Sequence, residues 1–193
     1  MTKLLKGYVA LIDPMNRVIG RIVMYGIFVM MGILLWSSVS KVFLVPSLWT
    51  LEMAQFAMVA YYILGGPYSI QMGSNVRMDL IYGEMTDHRK AAIDAMTVIF
   101  LLVYLGFLLY GGIASTAYSL GYFGSEPIGF FSGLITGSTE MGFLERSPTS
   151  WRPYLWPIKS IMVIGIFLML LQVLSELAKD ILRLQGHDLG AKV

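Results

Sequence analysis

Cysteine is absent from all 193 residues. That excludes disulfide scaffolds, Cys-ligated zinc, iron–sulfur clusters and thiol nucleophiles. Histidine is nearly absent, and the two present, His88 and His187, sit in hydrophilic flanks. A haem in a membrane helix bundle needs histidines inside the apolar spans, so a b-type cytochrome is excluded as well. Charge is also scarce. Asp, Glu, Lys and Arg make up 13% of the chain, against about 25% in a soluble domain. Hydrophobic residues make up 56%, and the mean hydropathy is +0.69. These values rule out a disordered chain, argue against a soluble enzyme and point to a protein solvated partly by lipid. A net charge of +2 is too small to imply a nucleic-acid partner.

Where charge is missing says more than how much is missing. Four stretches carry no charged side chain: Ile22–Ser40, Met53–Val76, Ala95–Ser125 and Ser160–Ser175. A helix needs about 20 mostly apolar residues to cross the hydrocarbon core. The first two runs fit single spans. The third is too long for one crossing and too short for two, and Gly121, Gly124 and Ser125 suggest that its helix ends near Tyr122. The fourth lengthens to roughly Tyr154–Leu174 if Lys159 snorkels toward the headgroups. The expected fold is therefore an all-α integral membrane protein with four transmembrane helices. The spans lie at about 20–41, 50–72, 94–120 and 154–178, in one domain covering 1–193, with a long outer loop at about 123–153.

Orientation follows from the Lys and Arg residues flanking the spans. Ten fall in the N-terminal tail, the middle loop and the C-terminal tail; four fall in the other two loops. The positive-inside rule puts both termini in the cytoplasm. Aromatic residues cluster on the opposite side: Trp49, Tyr118, Tyr122, Trp151, Tyr154 and Trp156. They form the belt expected at a membrane interface. The first apolar run follows 21 residues and lacks a small-x-small cleavage site before Lys41, so it reads as a retained anchor.

The segments outside the spans have their own patterns. Residues 3–12 place Leu4, Leu5, Tyr8, Leu11 and Ile12 on one helical face and Lys3 and Lys6 on the other. This predicts an interfacial amphipathic helix on the inner leaflet, with membrane lipid as its partner. Asp13-Pro14 reads as a fresh helix start leading into span one, and Thr86 as the start leading into span three. Beyond span four, Leu177, Ile181 and Leu184 continue a helical stripe toward a stop at Gly186. Gly65-Gly66-Pro67 breaks span two near its inner end. The outer segment Ile128–Ile135 is apolar but too short to cross, which fits an interfacial or re-entrant element or a surface packed against another protein.

Chemistry is hard to find. There is no GxSxG, Walker A, HExxH or paired-carboxylate signature. No ionisable residue lies near the middle of a span, where a self-sufficient secondary transporter would keep working groups. Glu52 sits at the outer mouth of span two. It reads either as a carboxylate favoured by the helix dipole or as a polar contact to a partner subunit. Arg77, Asp79 and Asp94 are expected to form a salt-bridge network at the inner span two–three hairpin. Gly111 with Ser115 and Gly112 with Thr116 form small-xxx-small pairs that permit close helix packing. The fourteen methionines read as adaptable apolar filler.

Several segments taken together resemble a known family. These are Pro46-Ser-Leu-Trp49-Thr-Leu-Glu52, then Asn75-Val-Arg77-Met-Asp79-Leu-Ile-Tyr82, then Glu145-Arg-Ser-Pro148, Tyr154-Leu-Trp156-Pro157-Ile-Lys159, and Leu171-Gln172-Val-Leu-Ser-Glu176. In order and spacing, from about Asp13 to Ile181, they look like the small membrane subunit of TRAP (tripartite ATP-independent periplasmic) transporters. Asn75 stands where that family usually has histidine, so no imidazole role carries over. The stretch 126–141 is also longer than the usual outer loop.

The resemblance implies a non-catalytic subunit of the bacterial inner membrane that supports a large TRAP membrane subunit. That partner would carry the sodium and substrate sites, and a periplasmic substrate-binding protein would deliver a small organic acid, carboxylate or sulfonate. This chain itself is expected to hold no cofactor, metal or substrate. Trp49, Glu52, Arg77, Asp79, Tyr82, Asp94, Glu145, Trp156 and Lys159 are its candidate structural or partner-facing positions. The alternative is a stand-alone four-helix scaffold or anchoring protein with no transport role.

Overall fold

A computed structural model of the chain describes residues 2–73 and 87–184. The described part is all-helical apart from its loops and one isolated β-bridge. Six helices follow in order: α1 Thr2–Met24, α2 Gly26–Phe43, α3 Thr50–Gln71, α4 Asp87–Ser119, α5 Pro127–Thr136 and α6 Trp156–Leu184. Among the described residues, three helical stretches are long and apolar enough to cross a membrane: Lys3–Phe43, Met96–Ser119 and Trp156–Leu182. The 22-residue α3 is long enough but more polar, carrying Glu52, Gln55 and Gln71.

Helix α6 is central and packs against α1, α3 and α4; α1 also packs on α3, while α2 leans on α3 and α5 on α4. The core lies along α6. Ile166 and Val173 meet Leu105 of α4, flanked by Leu101, Leu109 and Met169. A smaller cluster of Ala117, Leu120 and Phe130 fastens α5 to the end of α4, with the rings of Tyr122 and Phe130 stacked at 4.7 Å. Much of the outer surface of these helices is apolar. Phe107 of α4 is 76% exposed and Phe43 of α2 is 79% exposed. Such a continuous apolar surface belongs in lipid or against another protein.

Three helix boundaries differ from the sequence expectation. Helix α1 runs straight through Asp13-Pro14 instead of restarting there. Proline removes one helical N–H bond, but tertiary bonds hold that turn. Gln71 Nε2 donates to the backbone oxygen of Asp13 at 3.1 Å, and the Asp13 side chain is gripped by α6. The break falls instead at Tyr25, where Tyr25 N bonds Ile22 O and Phe28 N bonds Tyr25 O in tightened i to i+3 spacing.

Likewise α3 continues through Gly65-Gly66-Pro67 to Gln71. Here α6 braces it: the backbone of Ile63, one turn before Pro67, lies against Gly165, and Gly66 receives the side chain of Met169. These glycines are contact notches between α3 and α6. Gly112 plays the same part between α4 and α6, facing Val163, whereas Gly111 faces open space. Only one of the two small-residue pairs on α4 therefore marks this interface. Helix α4 ends at Ser119, three residues before the expected Tyr122, and the turn passes through Gly121 at φ +86.

Candidate functional site

The polar side chains of the described residues gather at the two ends of the long helices. At one end, the segment after α5 returns along the end of α4. Gly142 N bonds Leu120 O and Glu145 N bonds Ser119 O, each at 3.0 Å. The chain then doubles back, with Ser147 N donating to Pro153 O at 2.9 Å and Leu155 N to Glu145 O at 3.2 Å. This makes a strap over residues 145–155. The guanidinium of Arg146 bonds the Tyr154 hydroxyl and lies 4.4 Å from that ring's centroid.

Two sequence-selected carboxylates fasten the strap. Glu52, in the first turn of α3, is 4% exposed. Its Oε1 accepts from Ser147 Oγ at 2.6 Å and from the Thr149 hydroxyl. Its other oxygen is buried and has no partner among the described residues. Of the two roles open to Glu52 in the sequence, neither included this intramolecular contact, which joins residues 95 apart. Glu145 pairs with Lys159 of α6 at 2.6 Å, and the same ammonium donates to Ser115 O at 3.3 Å. Lys159 therefore turns toward Glu145 and the end of α4. Trp49 and Trp156 flank these contacts and remain 38% and 40% exposed.

A hydroxyl chain closes the α2–α3 turn nearby. Ser40 and Thr50 are each 2% exposed. Ser47 Oγ donates to Thr50 Oγ1 at 3.0 Å and lies 3.2 Å from Ser40 Oγ. The short loop thus pairs its buried hydroxyls with one another, as buried polar groups must be paired.

The opposite end has a second polar knot, which the sequence reading missed. Asp13 accepts from Ser175 Oγ at 2.7 Å and from Gln172 Nε2 at 3.1 Å, and pairs with Lys179 at 2.6 Å. Lys179 also meets Glu176 at 2.7 Å. Asn16 Nδ2 donates to Gln172 Oε1 at 2.7 Å, and the Tyr8 hydroxyl donates to the backbone oxygen of Leu171 at 3.0 Å. Asn16, Gln172 and Ser175 are essentially fully buried. The signal in the sequence was the polar run at Asp13, Asn16, Gln172 and Ser175 inside otherwise apolar helices, where buried polar groups must find partners.

The knot binds α1 to α6 along a stripe through Tyr8, Ile12 and Asn16, leaving Leu4, Leu11 and Val18 exposed. Asp94 lies near the start of α4. Arg77, Asp79 and Tyr82 lie outside the described residues, as do Thr86, Gly186 and the expected hairpin network.

Among the described residues no group of three or more His, Asp or Glu side chains could hold a metal ion. Both polar sets tie separate parts of the chain together. A family model described as tripartite ATP-independent periplasmic transporters, DctQ component, matches residues 30–183. No curated protein and no solved structure matches the chain.

Proposed function

The chain belongs to the DctQ family of tripartite ATP-independent periplasmic transporter components, and from that premise we propose that it is the scaffold subunit of a sodium-driven, binding-protein-dependent importer. The substrate is a small organic acid, carboxylate or sulfonate. Sodium and substrate sites belong to a large membrane subunit, and a periplasmic binding protein delivers the substrate. Helices α2, α3, α4 and α6 each cross the bacterial inner membrane, both termini face the cytoplasm, and α1 lies at the inner surface. The ten-to-four bias in Lys and Arg supports that orientation. Lipid covers the exposed Leu4 and Leu11 of α1.

The observation that carries this reading is where the ionisable groups stand. In α2, α3, α4 and α6 every charged residue lies within a few turns of an end, leaving the middle of each helix uncharged. Glu52, Glu145, Lys159, Asp13 and Lys179 bond to other parts of the same chain. A transporter acting alone needs polar or broken helices at its midplane. This arrangement suits a brace, with the two polar sets fixing the helices and the open apolar face meeting a partner. Trp49, Trp156, Arg77, Asp79, Tyr82 and Asp94 are the positions through which we expect the partner or the inner loop to be held.

The test is reconstitution. The chain should co-purify with a large many-span polypeptide, and sodium-dependent uptake in vesicles should require that partner and a binding protein. Uptake by this chain alone would overturn the proposal. The orientation has its own check: a reporter fused at Ser138 should be exported and one at Asp87 retained inside, and the reverse result would invert the topology.

A further inference from the structure

We propose that a groove beside the α1–α2 bend binds one membrane glycerophospholipid, with an acyl chain lying along the inner half of α3 and the phosphate met by Arg21. Beside the break at Tyr25 between α1 and α2 a groove lies against α3. Gly20, Met24, Tyr61, Tyr62, Gly65 and Met72 line this open-sided groove of about 390 Å³. Gly65 leaves it open, since a Cβ there would meet nothing within 4 Å.

Three features select the occupant. The first is length. From Tyr61 to Met72 the groove follows α3 for about 16 Å at 1.5 Å per residue, close to the roughly 15 Å depth of one leaflet's hydrocarbon. The second is lining. Apart from Ser69 and the tyrosine hydroxyls, the residues along the slot are apolar, which suits a hydrocarbon chain.

The third is charge. No Asp, Glu, Lys or Arg lines the groove, yet helical spacing puts Arg17 and Arg21 on the rim beside Met24 at the end where the apolar run begins. Arg17 is engaged within the protein, and Arg21 is exposed. No acidic residue occurs between Pro14 and Leu51, nor between Met53 and Gly73. An apolar slot with a cationic rim complements a phosphate carrying an acyl chain, the pattern by which basic pockets between helices recognise lipid headgroups.

Assignment to the inner leaflet rests on the orientation proposed above; the groove's affinity for lipid does not. A detergent-based test therefore separates the two. The full chain, delipidated in mild detergent, is titrated with phosphatidylglycerol and with a diacylglycerol bearing the same chains, and native mass spectrometry reads the bound species. One phosphatidylglycerol should bind tightly, and the diacylglycerol about fivefold more weakly, the worth of one basic residue near a lipid phosphate.

Gly65→Leu, which fills the slot, should weaken phosphatidylglycerol binding at least tenfold. Gly111→Leu, a control on the open face of α4, should leave it unchanged. Arg21→Gln should erase the preference for phosphate. Binding by Gly65→Leu equal to wild type, or equal affinity of the wild type for both lipids, overturns the proposal. Should Gly65→Leu melt below the wild type, Arg21→Gln decides alone: a retained preference for phosphate overturns it.

Discussion

Replacing Gly165 by alanine adds one methyl group where α6 comes closest to α3. A Cβ at that position would clash with Ile63 Cγ2 and lie 3.1 Å from both the carbonyl carbon and the oxygen of Ile63. A change of the Ile63 rotamer can relieve only the first of these contacts. Carbon contacts are most favourable at about 3.5–4.0 Å, so the backbone contacts alone require the two helices to part by roughly half an ångström. A gap of that size forfeits about a quarter of the dispersion energy. One buried side chain makes some 40–60 contacts of about 0.1–0.2 kcal/mol each, so the loss around Ile63 alone is about 1–3 kcal/mol. Overpacking of other cores costs the same amount.

Alanine's helix preference over glycine returns about 0.8–1 kcal/mol. Gly111→Ala supplies the reference. It sits in an apolar helix with nothing within 4 Å of its Cβ, so it keeps the propensity gain without the clash. The two variants should therefore differ by about 2 kcal/mol, whatever the exact propensity term. For a chain of this size each kcal/mol moves Tm by about 2–4 °C, giving a gap of about 6 °C. The four tryptophans allow the melt to be followed by intrinsic fluorescence in detergent. If both variants melt together, at or above the wild type, α6 and α3 do not meet at Gly165 and the proposed reason for helix continuity through Pro67 fails with it.

Three further outcomes follow from the polar contacts. Glu52→Ala removes the acceptor of Ser147 and Thr149; it should cost about 1–3 kcal/mol and raise maleimide labelling of a cysteine placed at Ser150, with Glu52→Gln falling between it and the wild type. The absence of native cysteine makes that assay clean, and an unchanged labelling rate would show that the strap is held by other means. For Lys159 and Glu145, 19% and 30% exposed, a double-mutant cycle of Lys159→Met and Glu145→Gln should give a coupling of about 1 kcal/mol, kept small by solvent screening; zero coupling would reduce the pair to a crystal-like ornament of geometry. Asn16→Leu strands Gln172 Oε1 in a buried setting and should lower stability by about 1–3 kcal/mol, seen as faster hydrogen exchange in α1; unchanged exchange would mean that α1 is held without the knot.

Much of the fold was legible because lipid imposes a simple rule: backbone groups must pair locally and charges must leave the apolar layer. Ile22–Ser40, Ala95–Ser125 and Ser160–Ser175 all lie in or around helices of the structure. The outer segment Ile128–Ile135 was recognisably apolar and short, and it forms α5. The two helix breaks expected at Pro14 and Pro67 were misplaced for one shared reason. Local propensity counts the N–H that proline lacks, but it cannot count a partner from another helix. Asp13 looked like an N-cap because asparagine and aspartate usually cap where they precede proline; here Ser175, Gln172 and Lys179 take its side chain.

By itself, then, the sequence determined that the chain is a membrane protein, which helices are apolar, and that charge is confined to their ends. Those properties depend on composition along one helix at a time. Which helix sits at the centre, which glycine is a notch, and where Glu52 and Lys159 spend their charges were decided only in three dimensions. Gly111 and Gly112 are neighbours in sequence, yet only Gly112 meets α6. The difference is a rotation of about 100° around the helix axis, and nothing short of the packed helices fixes which way that rotation faces.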